Sequence, residues 1–322
     1  ILPYTRAGFR LSRKDSTRNA LLLLLGGIGA VSTASILIRF ALNEASPLVI
    51  SAYRMALAAL IAAVLSLTNT AKEPFHPKLK DLVWMSLAGL FLALHFASWT
   101  TSLALVSVSS SVILVTTTPL WVALVSPIWL KEKISPAFYV GLALALGGSV
   151  LVGFSEACSF SAAGVACQAA SLNNGTTVLS GLFLAVFGAW MAAGYLLIGR
   201  KLRGTIPVFP YTAFVYGISA FFLILALILR GEQLWGYSLK AYALFTAMAV
   251  IPQTLGHSVL NYSLEKLPAS VVSLSLLGEP VGATVLAALF LNEKPSLIQI
   301  IGGCIILGGI VFAVWPRQVN AA

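Results

Sequence analysis

Charge is scarce in this chain. Of 322 residues, ten are acidic and twenty basic, so only 9% carry charge, against about a quarter in an ordinary soluble domain. That is too little to clothe one or two water-soluble domains, which are thereby excluded. The formal net charge of +10 does not point to nucleic acid, because the basic residues fall in short clusters between apolar runs and build no basic face. A Walker-type Gly-Lys-Ser/Thr loop is missing, as are His-Glu-x-x-His and paired aspartates. The chain therefore reads as neither an ATPase nor an enzyme. No cofactor or metal is expected, since His76, His95 and His257 have no ligand spacing.

What fills the chain is apolar sequence, 59% of residues. A bilayer core about 30 Å thick needs roughly 20 apolar residues per helix. Ten runs meet that need: Ala20–Leu42, Pro47–Thr68, Asp81–Leu105, Ser107–Leu130, Pro136–Phe154, Thr177–Arg200, Val208–Leu229, Leu239–Tyr262, Pro268–Leu291 and Ser296–Trp315. They are too long and too uniformly apolar for barrel strands. The expected fold class is an all-α membrane protein with ten transmembrane helices.

Basic residues are retained on the cytoplasmic side. With the N-terminus inside, fifteen of them, from Arg6 to Arg317, fall in cytoplasmic segments, and only Arg230, Lys240 and Lys294 fall outside. Both termini are therefore expected in the cytoplasm, in an integral, multi-pass protein of the cell (plasma or inner) membrane. The basic start before Leu21–Leu25 also fits a secretory signal peptide, but the apolar run continues to Leu42 and the topology needs this helix. Trp84, Trp129, Trp235 and Trp315 lie near span ends and read as interfacial anchors.

Sliding the chain on itself by half its length, 161 residues, brings two stretches into register. Pro119 falls on Pro280, Glu132 on Glu293, Lys133 on Lys294, Gly141 on Gly302, Gly147 on Gly308, Gly148 on Gly309 and Arg39 on Arg200. Each half holds five spans, an odd number, so the second half enters the membrane upside down. Inverted repeats supply two nearly equivalent conformations, one open to each side, from which alternating access follows. The paired glycines suit close helix packing in lipid, where no hydrophobic drive exists.

The repeated endings Trp129-Leu130-Lys131-Glu132-Lys133 with Gly141 to Val152, and Phe290-Leu291-Asn292-Glu293-Lys294 with Gly302 to Phe312, carry a resemblance. Together with Pro47, Arg54 and Glu279-Pro280, they resemble the drug/metabolite transporter superfamily and its ten-helix EamA-type members. That resemblance implies a secondary transporter of small metabolites, such as amino acids, usually exported, with a central cavity. On it the chain divides into a cytoplasmic segment 1–19, a first EamA-like repeat 20–154, an extracytoplasmic loop 155–176, a second repeat 177–315 and a tail 316–322. A channel-like passive facilitator is the rival; no selectivity-filter segment or ring of charge is apparent.

Polar residues within spans are costly and mark candidate sites. Glu279 lies about 16 Å into its run at 1.5 Å per residue and is the only acidic residue deep in any span. A carboxylate there suits a coupling proton or a substrate amine, with Pro280 expected to kink the helix and free carbonyls. Its repeat mate is Thr118, so the carboxylate exists in one half only. Arg54 is expected in a structural ion pair, with Glu279 as its nearest candidate partner. His95, Trp99 and Ser102 share one helix face, as do Gln253, His257 and Asn261 on the repeat-mate helix. Trp190 and Tyr195, with Thr116, Thr117 and Thr118, would complete an amphipathic wall. Packing within the bundle is the alternative for each of these residues. The expected partners are a small-molecule substrate, the lipid bilayer and a coupling proton, with no nucleic acid, in a monomer or homodimer. Cys304 reads as packing, while Cys158 and Cys167 share one loop, where a disulfide is allowed and left open. Asn174 heads a glycosylation sequon in the same loop.

Overall fold

The computed structural model describes residues 13–69, 77–106, 108–161, 164–167, 175–290 and 297–314. Among the described residues, six helical stretches are long and apolar enough to cross a bilayer: Leu21–Ala41, Pro47–Thr68, Leu79–Leu105, Leu179–Leu202, Val208–Leu229 and Leu239–Lys266. Four shorter apolar helices accompany them, Thr118–Trp129, Pro136–Gly148, Ala269–Ala283 and Ile300–Ala313. The protein is an integral, multi-pass membrane protein.

In chain order the helices are α1 (Arg13–Ser32), α2 (Ala34–Ala41), α3 (Pro47–Asn69), α4 (Leu79–Leu105), α5 (Val108–Val115), α6 (Thr118–Trp129) and α7 (Pro136–Ala157). After a short hairpin come α8 (Gly175–Leu202), α9 (Val208–Leu229), α10 (Leu239–Met248), a π-helical segment (Ala249–His257) and α11 (Ser258–Lys266). The last are α12 (Ala269–Ser275), a 3₁₀ turn (Leu276–Gly278), α13 (Glu279–Phe290) and α14 (Leu297–Val314). The element pattern repeats with the sequence: α6 starts at 118 and ends at 129, and α13 starts at 279 and ends at 290, 161 residues on at both ends. Likewise α3 is matched by α9, and α7 by α14.

Four apolar runs change helix geometry partway along, which a hydropathy average over twenty residues does not resolve. The run Ser107–Leu130 divides into α5 and α6, and its mate Pro268–Leu291 divides into α12, the 3₁₀ turn and α13. The first span breaks at Thr33, whose hydroxyl donates to the carbonyl of Ala30 at 2.7 Å. In the fourth case Pro252 has no N–H to donate, and the helix widens around it. There the Thr254 hydroxyl donates to the carbonyl of Ala249, five residues back, at 2.7 Å.

α3 packs along α9, α7 along α14, and α4 along α8, while α1 lies against the π-helical segment and α11. Glycine sets the α7–α14 contact. A Cβ on Gly141 would stand 2.5 Å from the Gly309 carbonyl oxygen, and one on Gly148 would stand 2.7 Å from that of Gly302. The earlier glycine of α7 meets the later one of α14, so these two helices run antiparallel. The two contacts also exchange with each other under the 161-residue shift.

Outside the helices, β1 (Cys158–Ser161) and β2 (Gly164–Cys167) pair antiparallel, so the loop expected between the repeats contains a small hairpin. Its register sets Cys158 opposite Cys167. Asn174, Glu293, Lys294 and Trp315 lie outside the described residues. Trp84 and Trp129 meet at a ring-centroid distance of 5.4 Å.

Candidate functional site

The helix breaks converge on one hollow. It is lined by Val31 from α1, His95 and Trp99 from α4, Val115, Thr116 and Thr118 at the α5–α6 joint, and Ala192, Tyr195 and Leu196 from α8. His257, Leu260, Leu276 and Glu279 close it from the second half of the chain. The hollow leaves about 40 Å³ open to water centres, several times the roughly 10–15 Å³ that one water requires. A substrate of metabolite size would have to widen it.

The α5–α6 joint is built by three threonines in a row. The Thr116, Thr117 and Thr118 hydroxyls donate to the carbonyls of Val112, Leu114 and Val115 at 2.8, 2.7 and 2.8 Å. This back-bonding is the threonines' local task, and it leaves Thr116 and Thr118 on the hollow. Thr117 points elsewhere, accepting a bond from Trp121 Nε1 at 3.3 Å. On the repeat-mate side, Glu279 is the first residue of α13. A carboxylate suits the positive end of a helix dipole. Pro280 then falls in the first helical turn, where no amide donor is needed. The helical run passes from α12 through the 3₁₀ turn into α13, with Pro280 just inside α13.

Glu279 is buried, and among the described residues its Oε1 has no hydrogen-bond partner. Trp99 Nε1 and His257 Nδ1 are likewise buried without a partner. His95 Nδ1 lies 2.9 Å from the carbonyl of Gly188. A carbonyl can only accept, so Nδ1 carries a proton. The His95 ring stacks on Trp99 at 5.9 Å. Asn261 ties two helices to this wall by donating to the Tyr195 hydroxyl oxygen and to the carbonyl of His257.

Arg54 and Glu279 act on each other through charge without closing to ion-pair distance among the described residues. Fully buried, Arg54 makes no ion pair among the described residues; its Nε donates to Gln253 Oε1 at 2.9 Å and its guanidinium lies 4.2 Å from the Phe96 ring centroid. Its Nη1 and Nη2 have no partner there. A neutral amide and an aromatic face can hold a guanidinium without a carboxylate, so Arg54 and Glu279 each keep unpaired polar atoms. Gln253 stands behind the hollow with Arg54. Trp190 also falls outside it: it is 39% exposed and packs on Trp121 at 5.2 Å.

Two polar clusters that the sequence reading overlooked bracket the hollow. At one end Glu132 Oε1 accepts from Arg200 Nε at 2.9 Å and from the backbone N–H of Ala269 at 3.2 Å, and Arg203 pairs with Glu265 at 3.0 Å. At the other end Lys240 pairs with Glu44 at 2.9 Å, Ser46 donates to Glu232, and Tyr53 donates to the carbonyl of Leu234. Each cluster joins the first half of the chain to the second. Charged residues at span ends look like surface solvation in a sequence, so nothing there marks them as ties.

A solved crystal structure shares this fold, with a TM-score of 0.73 over 92% of this chain and 98% of that one at 18% identity. Among curated proteins, the uncharacterized transporter YdfC of Bacillus subtilis is 25% identical over 238 residues, covering 73% of this chain and 72% of YdfC. An uncharacterized transporter of Archaeoglobus fulgidus is 24% identical over 286 residues, 87% of this chain and 93% of that protein. The model of the EamA-like transporter family matches twice, over residues 18–154 and again over 179–315. With most of its length matched in those two segments, the chain belongs to the EamA-like transporter family.

Proposed function

We propose that the protein is a secondary transporter of small metabolites bearing an amine, amino acids or related compounds, moved outward by alternating access. The observation that carries this reading is Glu279: a buried carboxylate on a hollow, with one oxygen that has no hydrogen-bond partner among the described residues. The apolar walls, the His95–Trp99 stack and the donor on Trp99 Nε1 suit an organic body beside the ammonium that Glu279 would bind. His95, Trp99, Thr118, Tyr195 and His257 are its companions in this site. Thr117, Trp190 and Gln253 act from behind the wall, and Arg54 sets the local charge.

Ten spans, as two inverted five-helix repeats with both termini in the cytoplasm, are the architecture that goes with this mechanism. The family matches begin 161 residues apart, at 18 and 179, and the mates α7 and α14 run antiparallel through exchanged glycine contacts. Both observations support the inverted arrangement, which gives each end of the bundle a counterpart of the other. With ties at both ends, the small hollow corresponds to a closed intermediate, and opening either end means releasing one cluster.

The test is uptake into proteoliposomes against a substrate gradient under an imposed proton gradient, with ligands chosen by a thermal-shift screen of amines and amino acids. Concentration above equilibrium is expected. Equilibration alone would favour a passive facilitator, and stabilisation only by anionic metabolites would remove Glu279 from the site.

A further inference from the structure

A second hollow lies on the outer surface of the bundle, away from Glu279. It is a groove of about 500 Å³ between α4, α6 and α8. Trp121, Val125 and Trp129 recur every four residues on α6 and form one wall about 12 Å long at 1.5 Å per residue. Phe91 and Trp84 of α4 form the facing wall, and Gly194 of α8 keeps the floor low: a Cβ there would stand 2.7 Å from the Phe91 ring. Trp190 is 39% and Val125 42% exposed, so the groove opens sideways, towards the hydrocarbon in which these spans sit.

One end of the groove carries a cation. Lys201 Nζ lies 4.2 Å from the Trp84 ring centroid and 4.7 Å from that of Trp129. The two indoles fix the ammonium at the groove mouth. Among the described residues it makes no ion pair, and its neighbour Arg200 is committed to Glu132. The groove thus offers a membrane-facing apolar slot of acyl-chain shape with an unneutralised positive charge at the end where span-end tryptophans place the interface.

We propose that this groove seats one acyl chain of an anionic phospholipid, with the headgroup phosphate at Lys201. The slot supplies the affinity for a chain, common to all lipids, and Lys201 supplies the preference for negative charge. A zwitterionic lipid would leave the ammonium less well neutralised.

The experiment uses the full chain in detergent, delipidated and offered phosphatidylglycerol and phosphatidylcholine of identical chains, with bound lipid read by native mass spectrometry. Retention of phosphatidylglycerol several-fold above phosphatidylcholine is expected, and Lys201→Gln should bring the two to parity. Lys240→Gln, at the opposite end of the bundle, should leave the preference intact. Val125→Trp, which fills the slot, should lower retention of both lipids. Equal retention by the unaltered protein, or a preference that survives Lys201→Gln, would overturn the proposal. Loss of the preference in Lys240→Gln as well would also overturn it, by reducing the effect to overall charge. The Lys201 side chain is exposed, so that arm holds even if Val125→Trp fails to fold.

Discussion

Arg200 and Glu132 meet at 2.9 Å, and the same guanidinium reaches the carbonyl of Leu264 at 2.7 Å. At the other end of the bundle Arg39 reaches the carbonyl of Leu103 at 3.4 Å. Arg39 and Arg200 are 161 residues apart, and so are Leu103 and Leu264. The same arginine-to-carbonyl contact is thus made twice, tighter where a carboxylate joins it. Glu132 additionally accepts from the first amide of α12, the helix that leads through the 3₁₀ turn to Glu279.

The Arg200–Glu132 tie is expected to hold its end of the bundle shut. A charge-assisted hydrogen bond contributes about 1.5–3 kcal/mol, and the partial exposure of Arg200, 29% for its side chain, places this one at the lower end. A double-mutant cycle with Glu132→Gln and Arg200→Gln on thermal unfolding should show coupling of about 1–2 kcal/mol. Additive single effects would show that the pair is not a tie.

Glu279→Gln keeps the shape and removes the charge. The variant should fold with an unfolding transition close to that of the parent, while substrate transport loses its pH dependence. Transport by Glu279→Gln with an unchanged pH profile would remove the carboxylate from the coupling step.

The α7–α14 contact tolerates no side chain at Gly148, where a Cβ would meet the Gly302 carbonyl at 2.7 Å. Gly148→Val should destabilise by about 1–3 kcal/mol through overpacking. Gly147→Ala is its control, because a Cβ there meets nothing within 4 Å, and it should be neutral or stabilising by up to about 1 kcal/mol from helix propensity. Equal melting temperatures for the two variants would deny the close approach.

Glu44 lies in the link between α2 and α3, where Lys240 and then Ser238 hold its carboxyl below the ordinary value by hydrogen bonding. A carboxyl with a folded value below its unfolded one contributes stability that is complete above the unfolded value and lost as pH falls through the folded one. The difference in melting temperature between the parent and Glu44→Gln should be present at neutral pH and vanish in acid. A difference that grows on acidification would contradict this sign.

Cys158 and Cys167 stand opposite each other in the hairpin register, a placement within the Cα range that disulfides use. On membranes prepared without reductant, maleimide labelling should count only Cys304, rising to three thiols after reduction. Three thiols without reductant would leave the hairpin unbridged.

Much of the fold is legible in the sequence alone. Apolar runs of about twenty residues can hardly be anything but membrane helices, and Glu132-Lys133 recurring as Glu293-Lys294 exposed the duplication. The polar stripe of His95 and Trp99 also faced inward as helical periodicity required. What failed to show was local. A window of twenty residues averages over one turn, so the break at Thr116 and Thr117 was invisible, and those threonines read as ligands when their first partners are backbone carbonyls. Trp190 and Tyr195 illustrate the same limit: five residues apart on α8, one is exposed towards lipid and the other is buried on the hollow.

The amino-acid sequence by itself determined the solvent, the class of structure, the duplication and the singular acidic residue, because each depends on composition and period along the chain. Tertiary structure decided which polar groups are answered and which are left open. Arg54 bonds Gln253 directly and meets Glu279 only through charge, and among the described residues one Glu279 oxygen has no hydrogen-bond partner. Hydrogen bonds reach only about 3 Å, and what lies within that radius is set by how helices far apart in sequence cross.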